Sequence, residues 1–495
     1  MSGASFKVRL VFSCSREMEW KAEYVLSTFL DVIGIPVAPE GGDPRRCITI
    51  RYGAMPAGGA EEEGIFIRAS SEASRFFSSR LPLDTRGVRR VSIGSFKDVP
   101  DLFPPASGPA EEGKNILAHD IVASAFYFLS NREEVGDDRR DAHGRYLYSQ
   151  STSAKLGLEG CPVVDTYISI LKEMIHALCV RRGVEFSTRP AWPGSKKFAL
   201  CLTHDVDCVR RYSLCSFRQK FPGLNSFFLR HPLTWDMLYS AQRLFNPAVD
   251  RIDPFWAFSD IMAMEKSYGF SSSFYFQAGG TSPYDTVCYR ADDGDIRAVM
   301  EAIREAGFEV GLHGSYNSGL REGLMKEEAE KLTSLAGELT GHRQHFLRMD
   351  PHRSFGIYSR AGMRYDATLG YVDREGYRNG LSFPFNPYDA EEDRPFGILE
   401  IPLTVMEWTL THYRNLSPSD AWPALRALLE MGREHGGCVC LLWHVHMFYS
   451  APLRDLYRKA LEWAAEHNGW GTTAGSIYEW WIERRRRYGL DSNLL

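Results

Sequence analysis

The sequence predicts an α/β protein: an irregular barrel of seven parallel strand–helix units, (β/α)7, preceded by a smaller α/β N-terminal domain. Three observations predict it. From Lys197 onward, short apolar stretches alternate with amphipathic helical patterns, as in parallel sheets covered by helices. The chain has 495 residues, more than one ordinary core holds. Residues 184–196 carry two prolines and a glycine, which suits a linker between the two patterns. The expected division is residues 1–190 and residues 195–485.

Composition narrows the class. An apolar content of 44% and a charged content of 24% are those of a soluble globular protein. A net charge of −5 leaves no basic footprint for nucleic acid. The run Arg484 to Arg487 is expected to be a solvated helix end, where cations suit the dipole. The ten cysteines include no Cys-x-x-Cys, and Cys201, Cys438 and Cys440 fall in apolar strands, where a free thiol packs as a small hydrophobe. This pattern suits a reduced compartment. The N-terminus lacks the basic and apolar segments of a signal peptide, and no stretch approaches the roughly 18 apolar residues of a membrane span. A cytoplasmic location is expected.

In the N-terminal part, Lys7 to Cys14 alternates like a strand, and Glu17 to Ile33 sets Val25, Leu26, Phe29, Leu30 and Ile33 on one helical face. Ile48 to Tyr52, Gly64 to Ala69 and Val88 to Ile93 read as short strands. Asn115 to Glu134 and Asp165 to Arg182 read as helices, the second stopped by Gly183. Between them the charged loop Asp138 to Tyr146 brings His143 and Arg145 close together. A salt-bridged corner is the favoured reading there, with an anion or sugar contact as the alternative.

In the second part the expected strands are Phe198 to Thr203, Ser272 to Gln277, Glu309 to Leu312, Gln344 to Arg348, Ala367 to Gly370, Ile398 to Val405 and Cys438 to Trp443. Helices Asp293 to Ala306, Lys326 to Thr340, Ser417 to His435 and Leu453 to His467 alternate with them. Residues 208–252 read as a partly helical insertion after the first strand.

Polar groups gather just past the strand ends, where such barrels carry their chemistry. His204, Asp205 and Asp207 follow the first strand; His313, Ser315, Tyr316 and Asn317 the third. Arg343, His345 and Arg348 lie on the fourth, and His444 and His446 end the last. Singly, each is more often a structural residue. Together, carboxylates and imidazoles at one end of several strands suit a hydrated metal, with a carboxylate as base and a histidine as acid. Asp205 and Asp207 share a parity, so both face the site if the strand curls at its end. On an ideal strand Arg343 and His345 share one face, and Arg348 lies on the other unless the strand ends first.

Over roughly residues 195–450 the sequence resembles the polysaccharide deacetylases of the NodB-homology type, carbohydrate esterase family 4. Thr203-His204-Asp205-Val206-Asp207 is similar to that family's Thr-Phe-Asp-Asp motif, spaced by one more residue. The match implies Asp205 as catalytic base and Asp207 as metal ligand. His313-Gly314-Ser315-Tyr316-Asn317 resembles the family's His-Ser/Thr-x-x-His, with His313 as ligand and Asn317 in place of the second histidine. Asn317, His345 and His352 remain open for the third ligand, His345 being preferred. Arg348-Met349-Asp350-Pro351 resembles the motif whose arginine orients the base, and Leu441-Leu442-Trp443-His444 the one whose histidine is the general acid. Tyr316 and Arg343 are expected at the substrate. Further segments resemble a bacterial subgroup with an N-terminal domain of unknown function: Phe126 to Glu134, Asp141 to Arg145, Cys161 to Asp165, Gly311 to Tyr316, Arg343 to Arg348 and Tyr365 to Tyr371.

The resemblance implies a NodB-like barrel and a metal-dependent hydrolase that removes an N- or O-acetyl group from an amino sugar or cell-envelope glycan precursor. One divalent metal is expected: zinc first, with cobalt, nickel, iron and manganese as alternatives. The competing expectations are a small-amide hydrolase on the same fold and a non-catalytic glycan-binding protein that has lost its metal, which Asn317 favours.

Overall fold

The computed structural model describes residues 6–38, 47–54, 64–104, 115–211, 253–285, 287 and 289–490. In the N-terminal part, β1 (Lys7–Ser13), β2 (Cys47–Gly53) and β3 (Gly64–Arg68) lie side by side and parallel. Next, β4 (Arg89–Ile93) and β5 (Phe96–Asp101) form an antiparallel hairpin, and β6 (Ile116–Leu117) joins β3, giving the sheet order β1-β2-β3-β6. Helices Arg16–Ile33, Ile121–Leu129 and Val163–Arg182 pack together beside this sheet. Ile121–Leu129 is buried along its whole length, as an all-apolar helix must be. It is shorter than the Asn115 to Glu134 helix expected from sequence. Asp120 caps its start by accepting from the Ala123 N–H at 2.8 Å, and Asn131 leaves the helix in the left-handed region at φ 50°.

The second part is organised on β7 (Phe198–Val206), which is buried throughout. It is followed by β8 (Ser273–Phe276), β9 (Glu309–Gly314), β10 (Gly341–Gln344) and β11 (Tyr365–Asp366). A short hairpin, β12 (Tyr388–Asp389) with β13 (Arg394–Pro395), precedes β14 (Leu399–Glu400), β15 (Leu403–Met406), β16 (Cys438–Leu442) and β17 (Gly469–Thr472). The strands pair in parallel in the order β14-β11-β10-β9-β8-β7-β16-β15. With β16 on one edge of β7, the other edge is shared: Thr203–Val206 pairs with β8 and Phe198–Cys201 with β17. The sheet curls, since Arg343 on β10 donates from Nη2 to Thr203 Oγ1 on β7, three strands away, at 3.1 Å. The α/β class and the barrel-like parallel sheet therefore stand as expected.

Several strands differ from expectation. The fourth strand is Gly341–Gln344, not Gln344 to Arg348, because the chain leaves the sheet at His345. The fifth is Tyr365–Asp366, not Ala367 to Gly370, so it ends just before the expected strand was to begin. The sixth is split into β14 and β15 around Pro402, which has no N–H for a ladder. β17, with two glycines in four residues, carried too weak a pattern to be expected. The expected insertion falls mostly on residues 212–252, outside the described residues.

One continuous apolar core runs from Phe6 to Trp481 through both parts. The stretch 184–196 is packed rather than loose: the Trp192 indole is buried and donates to the Gly436 carbonyl at 2.7 Å. The expected solvated end at Arg484 to Arg487 is half wrong. Arg484 and Arg485 are buried against helix Arg16–Ile33, where Asp31 Oδ1 accepts from Arg484 Nη1 and Oδ2 from Arg485 Nε, each at 2.9 Å. Among the described residues no helix is long and apolar enough to cross a membrane, and the described cysteines are free thiols.

Candidate active site

Alternation along β7 sorts its polar residues. Thr203 and Asp205 face the barrel interior. His204 faces the other way, against Phe274 and Phe448, with Nδ1 2.7 Å from the Trp443 carbonyl and Nε2 2.8 Å from Glu265 Oε1. Just past the end of β7, Asp207 meets side chains from β9 and from the turn after β10. Its Oδ1 lies 3.2 Å from His313 Nε2 and 3.7 Å from His345 Nε2, and Asp207, His313 and His345 present ligand atoms all within 4.8 Å of one another.

These residues fit a divalent metal. Bonds of about 2.05 Å place tetrahedral donors about 3.3 Å apart, and the two contacts to Asp207 bracket that spacing. Asp207 Oδ1 and His313 Nε2 are buried close together, yet neither has hydrogen-bond geometry to any protein group, the arrangement of two lone pairs aimed at one point. The other nitrogen of His313 is held by the Arg343 carbonyl at 3.0 Å. That of His345 faces Asp285 Oδ1 at 3.6 Å, and Asp285 is fixed by the backbone N–H groups of Tyr316 and Ser282. Such outer contacts set the tautomer and direction of ligating histidines. Burial opposes ionisation of Asp207, but the surrounding imidazoles of His345, His313 and His444 outweigh it and hold the carboxyl well below the usual range. Asn317 turns elsewhere: its Oδ1 accepts a long bond from Arg348 Nη1, at 3.4 Å. His352 is not among the clustered residues.

Asp205 and His444 flank this group. Asp205 is buried, with Oδ2 3.6 Å from His313 Nε2 and Oδ1 3.8 Å from Arg343 Nη1. His444 adjoins Asp207, with Nε2 3.5 Å from Oδ2, while its Nδ1 is 2.6 Å from Glu407 Oε1. Burial works against the His444 imidazolium, but the Glu407 carboxylate prevails and pushes it up to about 10. Desolvation, with the neighbouring His444 charge, pushes the half-buried His446 down to about 4. A cavity of about 290 Å³ opens on these groups; Leu347, Val372, Met406 and Leu442 supply apolar wall, and Trp408, Tyr413 and Arg145 line it further.

Of the residues expected from sequence, Asp205, Asp207, His313, His345 and His444 come together. Three fall differently. Arg348 is turned away to the carbonyls of His143 and Tyr316, at 2.9 and 3.0 Å, and stacks on the Tyr316 ring. The arginine beside Asp205 is Arg343, whose full burial inside the barrel also removes it from the expected substrate contact. Burial disfavours its charge, but Asp205 outweighs that and keeps the guanidinium protonated. Tyr316, expected at the substrate, is buried under Arg348 with its hydroxyl 3.1 Å from His143 Nδ1. For Arg348 the position is set by the turn after β10, where Phe346 and Leu347 have φ of 62° and 52°, and not by the register of the strand, which ends at Gln344.

Sequence reasoning missed Glu407, Asp285 and the reach of Arg145. Glu407 directly follows β15, so its strand-end position was a usable signal. Asp285 lies in a turn-rich loop after β8 and carried no such signal. Arg145 comes from the charged loop read as a salt-bridged corner, and it does pair there with Asp141, at 2.7 Å.

In structure the chain is similar to a protein from Mycobacterium smegmatis assigned as a polysaccharide deacetylase, at 18% identity and a TM-score of 0.41, covering 61% of this chain and 96% of that one. It is similar to Puue allantoinase at 18% identity and a TM-score of 0.40, covering 60% and 95%. It is also similar to a family 4 carbohydrate esterase pseudoenzyme from Bacillus anthracis at 10% identity and a TM-score of 0.30, covering 57% and 66%. No curated protein matches. Residues 12–179 match the profile of a family of unknown function, DUF7033.

Proposed function

We propose that this protein is a metal-dependent hydrolase that removes an acetyl group from an amino sugar or a related glycan precursor. The observation that carries the reading is the convergence of Asp207, His313 and His345 between a buried carboxylate, Asp205, and a histidine backed by a carboxylate, His444 with Glu407. A binding protein has no use for both a base and an acid beside one cation site. The motif resemblance supplies the acyl group and the sugar; a small cavity with apolar wall beside the polar cluster, and aromatic side chains at Trp408 and Tyr413, suit an acetyl methyl and a sugar ring.

A divalent cation held by Asp207, His313 and His345 would supply Lewis-acid polarisation of the acyl carbonyl. The chain does the rest. Asp205 accepts the proton of the attacking water, and the Arg343 guanidinium lies behind it as the neighbouring positive charge, Nη1 3.8 Å from Oδ1. His444 starts protonated, because Glu407 holds Nδ1–H, and gives the Nε2 proton to the leaving nitrogen or oxygen. The buried walls of Leu347, Val372, Met406 and Leu442 keep bulk water from the reacting carbonyl.

The test begins with metal content of protein purified without chelator, followed by acetate release from acetylated amino sugars. About one divalent metal per chain, retained in Asp205→Asn while turnover is abolished, is expected. Loss of metal in Asp205→Asn would reverse the roles of the two aspartates. A wild-type chain that takes up neither zinc nor cobalt would end the hydrolase reading.

A further inference from the structure

We propose that the loop Asp141–Arg145, within the region that matches the family of unknown function, is the positioning element of the candidate metal site: it holds the turn His345–Leu347 so that His345 reaches Asp207 and His313. The proposal rests on the reading of those three residues as ligands.

The turn needs holding. Phe346 and Leu347 are consecutive non-glycine residues in the left-handed region, at φ 62° and 52°. L-residues with side chains adopt that conformation at a cost, and it persists where the surroundings over-determine it. Here the surroundings combine the N-terminal loop with Tyr284 and Tyr316 of the second part. Arg145 Nη1 donates to the Phe346 carbonyl at 3.1 Å. Arg348, at the far end of the turn, donates from Nε to the His143 carbonyl at 2.9 Å. The Phe346 ring is enclosed by His143, Tyr284 and Tyr316, with centroids 4.8, 5.7 and 5.4 Å away. The turn is therefore gripped on both sides immediately after its histidine, by residues some two hundred positions earlier in the chain.

The loop is built to be rigid. Asp141 Oδ1 accepts from the N–H groups of His143 and Arg145, each at 2.9 Å, and the Asp141 and Arg145 backbones bond at 3.0 Å. Gly144 takes φ 78°, which a left-handed corner requires of a residue without Cβ. The Arg145 guanidinium is spent within the protein: Nε donates to Asp141 Oδ2 at 2.8 Å and Nη2 to the Tyr413 hydroxyl at 3.0 Å. Paired with Asp141, it is poorly placed to serve as a hook for a substrate anion and well placed to fix three elements at once. A contact of this kind beyond the ligands themselves typically carries about 10–100-fold in metal affinity.

The experiment titrates the full-length, metal-free chain with Co2+, reading both affinity and the visible spectrum. Variants are Arg145→Ala, Arg145→Lys and a control, Arg140→Ala, which immediately precedes the loop and donates to Glu134 Oε2 at 3.1 Å and to the carbonyls of Asp137 and Arg139 rather than to the turn. Arg145→Ala is expected to weaken Co2+ binding about tenfold or more and to alter the band shape, because His345 is no longer held in one direction. Arg145→Lys keeps the charge beside Asp141 but lacks the fork, so it loses part of the affinity. Arg140→Ala should stay within about twofold of wild type. Wild-type affinity and spectrum in Arg145→Ala would overturn the proposal, as would an equal loss in Arg140→Ala. If Arg145→Ala does not fold, His143→Ala decides, since it removes the ring beside Phe346 and keeps the carbonyl; unchanged Co2+ binding there overturns the proposal. A wild-type chain that binds no Co2+ defeats the ligand reading itself, a separate result from variants that bind as well as wild type.

Discussion

His345→Ala should weaken zinc binding by about two orders of magnitude, while Asn317→Ala and His352→Ala leave it within about threefold. The geometry separates the three. His345 Nε2 is 3.7 Å from Asp207 Oδ1, with its other nitrogen 3.6 Å from Asp285 Oδ1. Asn317 points its amide oxygen at Arg348, and His352 is not among the clustered donors. A four-ligand protein zinc site is worth about 10–16 kcal/mol, so one ligand carries about 3–4 kcal/mol, or roughly 10²–10³-fold. Water can take the vacated position in an open site, which puts the expected loss at the lower end. The assay is competition against a chromophoric chelator at fixed pH, with circular dichroism to confirm that each variant is folded. Zinc lost in Asn317→Ala and kept in His345→Ala would refute the ligand set and return the site to the spacing of the His-x-x-x-His motif. Zinc kept in all three would mean that Asp207 and His313 bind it with a third group other than His345, Asn317 or His352.

Three other outcomes follow from the same structure. Glu407→Gln should lower kcat about a hundredfold with metal content unchanged, because His444 loses the carboxylate that keeps it protonated; an unchanged kcat in acetate release would remove His444 from the acid role. Asp31→Asn should destabilise the chain by about 3–5 kcal/mol in denaturant titration, since it leaves the buried Arg484 and Arg485 without their counter-charge; a loss under about 1 kcal/mol would show that water reaches the pair. Burial pushes the Asp165 carboxyl up to about 7, against the hydrogen bonds it accepts from Ser382. Between about pH 4 and 7 the folded chain then holds a proton that the unfolded chain gives up, so this group lowers stability as pH rises through that window, by about 4 kcal/mol in all. Asp165→Asn should erase that slope, and parallel stability–pH curves for variant and wild type would contradict it.

Much of the fold was legible because its signals are local and periodic. The apolar run Phe198 to Leu202 ending in Thr203-His204-Asp205 marks β7 without ambiguity, and four-residue helical spacing marks Asp293 to Ala306, observed as Gly294–Glu305. What was not legible depends on partners far along the chain. Arg484 and Arg485 look like a solvated basic end until Asp31, some 450 residues earlier, is placed against them. Asn115 to Glu134 reads as one helix because Ile116 and Leu117 are as apolar as the helix proper, and only pairing with β3 assigns them to a strand.

The site divides along the same line. Asp205, Asp207, His313 and His444 stand at strand ends, and the strand-end rule finds them. Arg348 was given the base-orienting role by motif resemblance, although strand parity set it on the face opposite Arg343 and His345, and Arg343 is the arginine beside Asp205. Parity itself holds only while the chain remains a strand. It stops at Gln344, and the next residues turn through the left-handed region at Phe346 and Leu347. Glycine or asparagine would have announced such a turn; phenylalanine and leucine do not. A bulky residue can occupy that region where tertiary contacts compel it, and those contacts come from His143 and Arg145. The local sequence therefore identified His345 as a candidate ligand, but not the direction in which it points, because that direction is fixed by a loop in the other part of the chain.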